Sequence, residues 1–200
     1  RVLFRSPLVD QLLKPNAKAR ALLLASKIKR YRQRYPDTKV NVIALSAGSG
    51  VAVWALEKLP DKVAIDNLIL LGSSLSHDYD MSQALEHVEG KVYVYHSPHD
   101  KVLDAVRYVG TIDGKRGVDS AGQVGLRPPS GKRDKIKNIP WTQDFLAYGW
   151  TASHTDSTNP TFVRQELAPK VIDHRRTRVV KGSPRHDRPK TEEPLSAGVF

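Results

Sequence analysis

The chain has 200 residues, of which 40% are hydrophobic and 26% are charged, and this matches one globular domain with a sizeable core. It has no cysteine, so disulfides, thiolate metal sites and a cysteine nucleophile are excluded. The net charge of +11 is compatible with an anionic partner, but the charges are dispersed and no basic stripe carries interleaved aromatic residues. We therefore expect a solvated basic surface, with nucleic-acid binding as the less favoured alternative.

Apolar runs in the sequence are all shorter than the roughly 20 residues that a membrane-spanning helix needs. No secretory signal is visible, which favours a cytoplasmic over a secreted protein. The sequence starts at Arg1 and not at methionine, so an upstream piece is expected to be missing.

The first predicted elements are a helix and a buried strand. Residues 1–16 read as an irregular lead-in that ends in a plausible N-cap, Asn16. Apolar residues at helical spacing predict an amphipathic helix from Ala17 to Tyr35. The almost entirely apolar run Val40 to Leu45 then predicts a strand buried on both faces, as in a parallel sheet.

A tight turn of small residues, with Ser46 at its tip, follows this strand and leads into a second helical pattern that Pro60 closes. Strand, sharp turn with a serine and helix is the pattern of a nucleophile elbow. Ala44 stands where the usual G-x-S-x-G motif has its first glycine, which is a mild change because only a methyl group must fit. The alternative is that the small residues serve packing alone.

Two further apolar runs, Asp66 to Leu71 and Lys91 to Tyr95, predict strands on either side of a short helix candidate at Met81 to His87. Strands that alternate with helices imply right-handed crossovers and a parallel sheet. The predicted fold class is therefore α/β, a three-layer α/β/α domain with a mostly parallel sheet over residues 1–172.

The pattern weakens in the second half of the chain. Residues 104–137 predict a long surface excursion with little regular structure, and the aromatic stretch 140–150 is expected to pack that excursion onto the core. A polar loop with His154 precedes a final predicted helix at residues 160–172. Charged residues and prolines without an apolar period predict a basic, disordered tail at residues 173–200.

This order of motifs resembles the C-terminal two thirds of an α/β-hydrolase and is similar, more narrowly, to poorly characterised bacterial hydrolase-like proteins. The resemblance extends over roughly residues 15–172. Its motifs are the serine turn, L-L-G-S-S at Leu70–Ser74, S-P-x-D at Ser97–Asp100, the late His154, and F-V-R-x-x-x-A-P at the start of the final helix. The earlier strands of that fold are not seen in this sequence, so either it is a fragment, or those strands are supplied differently, or activity is compromised.

The resemblance implies a serine hydrolase with Ser46, Asp100 and His154 in the chain order serine, acid, histidine. A serine hydroxyl is a poor nucleophile unless a base such as histidine takes its proton, and a carboxylate fixes the histidine tautomer. The backbone N–H of Ala47 is the expected first donor to the oxyanion. The second donor is expected from a loop upstream.

Each of these roles has an alternative. Asp100 could serve only as the cap of a helix that starts at Lys101, and His154 could be an exposed loop histidine. Two aspartates and two other histidines are rivals for the acid and base roles: Asp78, Asp80, His77 and His99. His174 and His186 fall in the predicted tail and are not candidates.

The predicted function is hydrolysis of a small-molecule ester through an acyl-Ser46 intermediate, without a cofactor. No metal is expected, because neither the histidines nor the carboxylates have the spacing of a known metal site. The main alternative is a hydrolase-like domain that binds or scaffolds without catalysis. An anion- or nucleic-acid-binding protein is the third hypothesis.

Overall fold

Four parallel strands form the centre of the structure, a computed structural model that describes residues 14–172. Most of the predicted lead-in and the whole predicted tail, including His174 and His186, lie outside these residues. Within them the strand order is β1-β2-β3-β4, at Asn41–Leu45, Asn67–Leu71, Val92–His96 and Ile136–Pro140. The predicted parallel α/β sheet is confirmed.

Helical segments pack on both faces of the sheet, and those on the second face follow β4 in the chain. The α-helices up to β4 are α1 Lys14–Arg34, α2 Gly48–Leu56, α3 Ser82–Leu85, α4 Lys101–Val109 and α5 Ala121–Val124. Two 3₁₀ helices follow at Gln143–Tyr148 and Asp156–Thr158. The final helical segment consists of α6 Pro160–Phe162, a π-helical turn Val163–Leu167 and α7 Ala168–Val171. No helix in residues 14–172 has the length and hydrophobicity to cross a bilayer.

Successive residues of the central strands face two different cores, as the side-chain alternation of a strand requires. Leu68 and Leu70 of β2 pack with buried residues of α1 and α2 on one face. Ile69 and Leu71 pack on the other face with an aromatic cluster that includes Phe145. Two cores on opposite faces of one sheet make the three layers expected from the sequence.

The prediction of an excursion with little regular structure at residues 104–137 holds for residues 110–120 and 125–135, but it misses three pieces of regular structure. Helix α4 continues to Val109, helix α5 lies within the stretch, and β4 begins at Ile136 and pairs with β3. The sequence conceals β4 because Lys137 and Asn138 are exposed, so no apolar pattern marks the strand. Its place in the sheet depends on backbone hydrogen bonds to β3, a strand that is distant in sequence.

Two predicted helices also differ in detail from the structure. The described part of α1 starts at Lys14, so Asn16 lies inside the helix and is not its cap. The final helix is helical as predicted but passes through a π-helical turn just before Pro169, a residue with no N–H to continue a regular ladder.

Candidate active site

Ser46 lies at the sharp turn between β1 and α2, and its backbone is in the left-handed region with φ 54°. This conformation costs a residue with a side chain roughly 1–2 kcal/mol. Hydrogen bonds hold it in place: its N–H donates to the Leu71 carbonyl at 3.0 Å, and its carbonyl accepts from the N–H and the hydroxyl of Ser49. The half-buried Ser46 hydroxyl takes part in none of the hydrogen bonds found within residues 14–172.

Small residues are required where α2 begins. A Cβ added to Gly50 would lie 2.8 Å from the Ile112 side chain, and Ala44 is 8% exposed beneath the turn. Ala47 immediately precedes the helix with φ −60° and ψ −23°, and its N–H is unused by the backbone hydrogen bonds of the described chain. The first N–H groups of a helix carry partial positive charge, so this N–H is available to an anion.

Asp100 uses its two carboxylate oxygens for different purposes. Oδ1 accepts the N–H groups of Val102 and Leu103 at 3.1 and 3.2 Å and so caps α4. Oδ2 accepts from Nδ1 of His154 at 2.7 Å. The sequence posed capping and partnering the histidine as alternatives, but one buried carboxylate, 3% exposed, makes both interactions.

His154 is 5% exposed, so the alternative of an exposed loop histidine is wrong. A carboxylate only accepts hydrogen bonds, so the proton between the two side chains belongs to Nδ1. In the neutral ring, the free lone pair is then on Nε2. This nitrogen is buried and has no hydrogen-bond partner among the described residues.

Three adjacent strands bring Ser46 and the Asp100–His154 pair to one edge of the sheet. Leu45 pairs with Leu71, so Ser46 after β1 and Gly72 after β2 are neighbours in register. A Cβ built on Gly72 would lie 3.2 Å from His154 Nδ1 and 3.4 Å from Asp100 Oδ2. The serine turn and the buried pair therefore share the carboxyl edge, with the end of β2 between β1 and β3.

The rival aspartates are engaged elsewhere. Asp78 accepts from the Lys115 ammonium at 2.8 Å, and this hydrogen bond lowers the pKa of Asp78. Asp80 accepts from the N–H and the hydroxyl of Ser82 at 2.9 and 2.6 Å, which lowers the pKa of Asp80. Neither carboxylate contacts His154 in the described structure.

The rival histidines are also separate from Asp100. His99 is exposed, and its ring meets the Trp141 ring edge-on with centroids 5.7 Å apart. His77 is half-buried, and no hydrogen bond within residues 14–172 uses its side chain.

Three serines that the sequence reasoning did not assign lie directly behind the turn. Ser73 Oγ donates to Ser49 Oγ at 2.8 Å, and Ser49 in turn donates to the Ser46 carbonyl. Ser74 N–H also approaches that carbonyl, at 3.4 Å, while the buried Ser74 hydroxyl has no partner among the described residues. The L-L-G-S-S strand end marked this place in the sequence but gave no role to its serines.

Metal binding has no support in the described part of the chain, which lacks any group of three histidine, aspartate or glutamate side chains placed to hold an ion. The expected second oxyanion donor, from a loop upstream, falls outside the described residues.

Comparison with known proteins gives one family match. A family profile described as Alpha/beta hydrolase matches residues 4–110, just over half of the chain, and this range includes Ser46 and Asp100. No curated protein matches. The match agrees with the parallel sheet and with the position of the serine turn after its first described strand. The chain belongs to the α/β-hydrolase family.

Proposed function

We propose that this protein is a serine hydrolase that cleaves carboxylic esters of small molecules through an acyl-Ser46 intermediate. One observation carries the proposal: a buried His154 ring is bound by Asp100 through Nδ1 and leaves Nε2 unpaired at the edge of the sheet where Ser46 lies. Histidine serves as a base because its ordinary pKa, about 6.5, lets it take and return a proton near neutral pH.

In the first half of the reaction, His154 Nε2 takes the proton from Ser46 Oγ while the oxygen attacks the ester carbonyl carbon. The carbonyl oxygen becomes an oxyanion, to which the Ala47 N–H would donate. The imidazolium then gives its proton to the leaving alkoxide oxygen as the carbon–oxygen bond breaks. An alcohol leaves and the acyl group remains on Ser46.

In the second half, water replaces the alcohol. His154 takes a proton from the water, the resulting hydroxide attacks the acyl carbon, and the returned proton restores the Ser46 hydroxyl as the carboxylic acid leaves. Asp100 would hold the ring in one tautomer and stabilise its positive charge in both halves. The hydrogen bonds that Asp100 accepts from N–H groups at the start of α4 hold the carboxylate itself in place.

Turnover of small p-nitrophenyl esters tests the mechanism. We expect the Ser46→Ala and His154→Ala variants to lose at least about a thousandfold in kcat/KM, because each removes a group that the other cannot replace. Ser130→Ala is the matched control, since this exposed serine lies away from the turn in sequence and should leave the rate unchanged. Undiminished turnover by Ser46→Ala would contradict the proposal.

A second candidate, a hydrolase-like domain that binds without catalysis, is favoured by the absence of a hydrogen bond between Ser46 and the partner-free Nε2 of His154. Such bonds often form only when substrate is bound, so this geometry is compatible with catalysis. Wild-type protein that is folded but turns over none of these esters would support the binding domain instead.

A further inference from the structure

Gly72 occupies a position where a side chain would be crowded. It follows β2 directly, and its φ of +47° lies in the left-handed region that favours glycine. A Cβ there would lie 3.2 and 3.3 Å from Nδ1 and Cε1 of His154 and 3.4 Å from Asp100 Oδ2. The His154 ring therefore rests on the backbone of Gly72 at the point where a side chain would begin.

We propose that Gly72 is a positioning residue: its missing side chain lets the His154 ring lie against the end of β2 with Nδ1 on Asp100. The consequence for ester cleavage rests on the function proposed above. The geometric claim, that the ring and a Cβ at position 72 compete for one space, stands without it.

The backbone of Gly72 cannot retreat to make room. A Cβ added to Gly122 would lie 2.4 Å from the Gly72 carbonyl carbon and from the Ser73 nitrogen, so α5 already touches this peptide. The Gly122 N–H also donates to the Ser73 carbonyl at 2.8 Å, and the Gly72 N–H donates to the Tyr95 carbonyl at 3.3 Å. With the peptide fixed, the ring of His154 is the part that must move.

The ring has little freedom of its own. It is buried, and its hydrogen bond to Asp100 Oδ2 is already 2.7 Å long. A Gly72→Ala change would displace it by a few tenths of an ångström, away from the position that the Asp100 bond defines. Since misplacement by 1 Å costs about a hundredfold in rate, we expect the alanine variant to react about tenfold more slowly with an activated-serine probe.

A double-mutant cycle in stability tests the competition for space without any reference to activity. Urea midpoints are measured for the wild type, Gly72→Ala, His154→Ala and the double variant. We expect Gly72→Ala to lower the midpoint by more in the wild type than in the His154→Ala background, where the ring is gone. If Gly72→Ala lowered the midpoint equally in both backgrounds, the loss would come from backbone strain alone and the proposal would be overturned.

Folding failure is also informative in this cycle. If Gly72→Ala does not fold but the double variant does, the ring is the obstacle and the proposal holds. If His154→Ala folds but neither Gly72→Ala nor the double variant does, the backbone conformation alone excludes alanine and the proposal is wrong.

Gly131→Ala is the matched control for strain. Gly131 has φ +72°, and a Cβ there would meet nothing within 4 Å among the described residues. It should react with a fluorophosphonate at the wild-type rate, whereas Gly72→Ala should be about tenfold slower. If the wild type does not react with the probe, the proposed hydrolase is refuted. The stability cycle alone then tests the role of Gly72, and equal midpoint losses in the two backgrounds would overturn that role.

Discussion

The two ends of the parallel sheet differ in how well their polar groups are paired by hydrogen bonds, and the amino end is the better paired of the two. There the Arg32 guanidinium donates to the carbonyls of Ala64 and Thr38 at 2.7 and 2.9 Å and to the Asp66 carboxylate at 3.2 Å. The same Asp66 oxygen accepts the Val40 N–H at 2.7 Å. These bonds tie the end of α1 to the strands.

The carboxyl end combines backbone strain with unsatisfied polar groups. Ser46 and Gly72 have φ of 54° and 47° at adjacent strand ends. Two buried polar atoms, His154 Nε2 and Ser74 Oγ, lack partners within the described chain. Strain and unpaired groups of this kind persist where they serve a site and where the remaining structure holds them. The amino end is therefore arranged to hold elements together, whereas the carboxyl end is where the proposed reaction would take place.

The sharpest test of the carboxyl end is Asp100→Asn. Asn can keep the α4 cap through its oxygen, but its amide would donate to Nδ1 and so leave the proton on Nε2. We expect ester turnover to fall by about 10⁴-fold, as when a triad aspartate is replaced by asparagine, with the unfolding midpoint nearly unchanged.

Asp80→Asn is its control, because Asp80 also accepts from a nearby backbone N–H but does not contact His154. Turnover that falls equally in both variants would argue against a special role for Asp100.

The matching test of the amino end is Arg32→Met, which keeps an unbranched stem but removes every donor. We expect a loss of about 2–3 kcal/mol in the free energy of unfolding, because Asp66 keeps little exposure and loses its cation. Fluorophosphonate should label the folded Arg32→Met variant at the wild-type rate. Arg30→Met, an exposed cation on the same helix, is the control in urea unfolding. Slowed labelling by Arg32→Met would show that the two ends are not separable.

Replacing two neighbouring serines at the carboxyl end should affect stability differently. Ser73→Ala removes the bond to Ser49 that supports the turn, and we expect a loss of about 1 kcal/mol with slower labelling. Ser74→Ala removes a buried hydroxyl without a partner, so stability should be unchanged or higher. Urea midpoints of the two variants compare them directly, and a larger loss from Ser74→Ala would contradict the assignment.

The smallest predicted effect is a pH dependence at His96, the last residue of β3. Burial lowers the pKa of His96, against a smaller opposing effect of its hydrogen bond to the Gln123 carbonyl. The unfolded chain, with a histidine pKa of about 6.5, therefore takes up a proton first as pH falls. Stability should decline below about pH 6.5 through this group, and the decline should be smaller in His96→Gln. If the urea midpoints of the wild type and of His96→Gln fell equally between pH 7.5 and 5.5, groups other than His96 would account for the loss of stability.

Much of the architecture follows from local sequence. Apolar runs are enough to find β1, β2 and β3, and their parallel arrangement brings Ser46 and Asp100 to one edge. Distance along the chain limits what else can be predicted. The bond between His154 and Asp100 joins residues 54 positions apart, so its length and burial come only from the fold.

The features that the sequence did not give are those that depend on contacts between elements. In the sequence, Gly72 is an ordinary strand end, and only the fold shows that the His154 ring packs against it. In the same way, the role of Ser73 depends on its hydrogen bond to Ser49. Strand β4 is polar on its surface and is held by β3, so its own residues carry little signal. Local pattern identifies elements, and packing decides which neighbours support the site.

Fluorophosphonate labelling followed by peptide mapping tests whether His154 activates Ser46. Such probes modify a serine that an adjacent base has activated. We expect one adduct, on Ser46, that His154→Ala abolishes and Ser130→Ala leaves intact. An adduct on another serine, or labelling of Ser46 that survives the loss of His154, would contradict it.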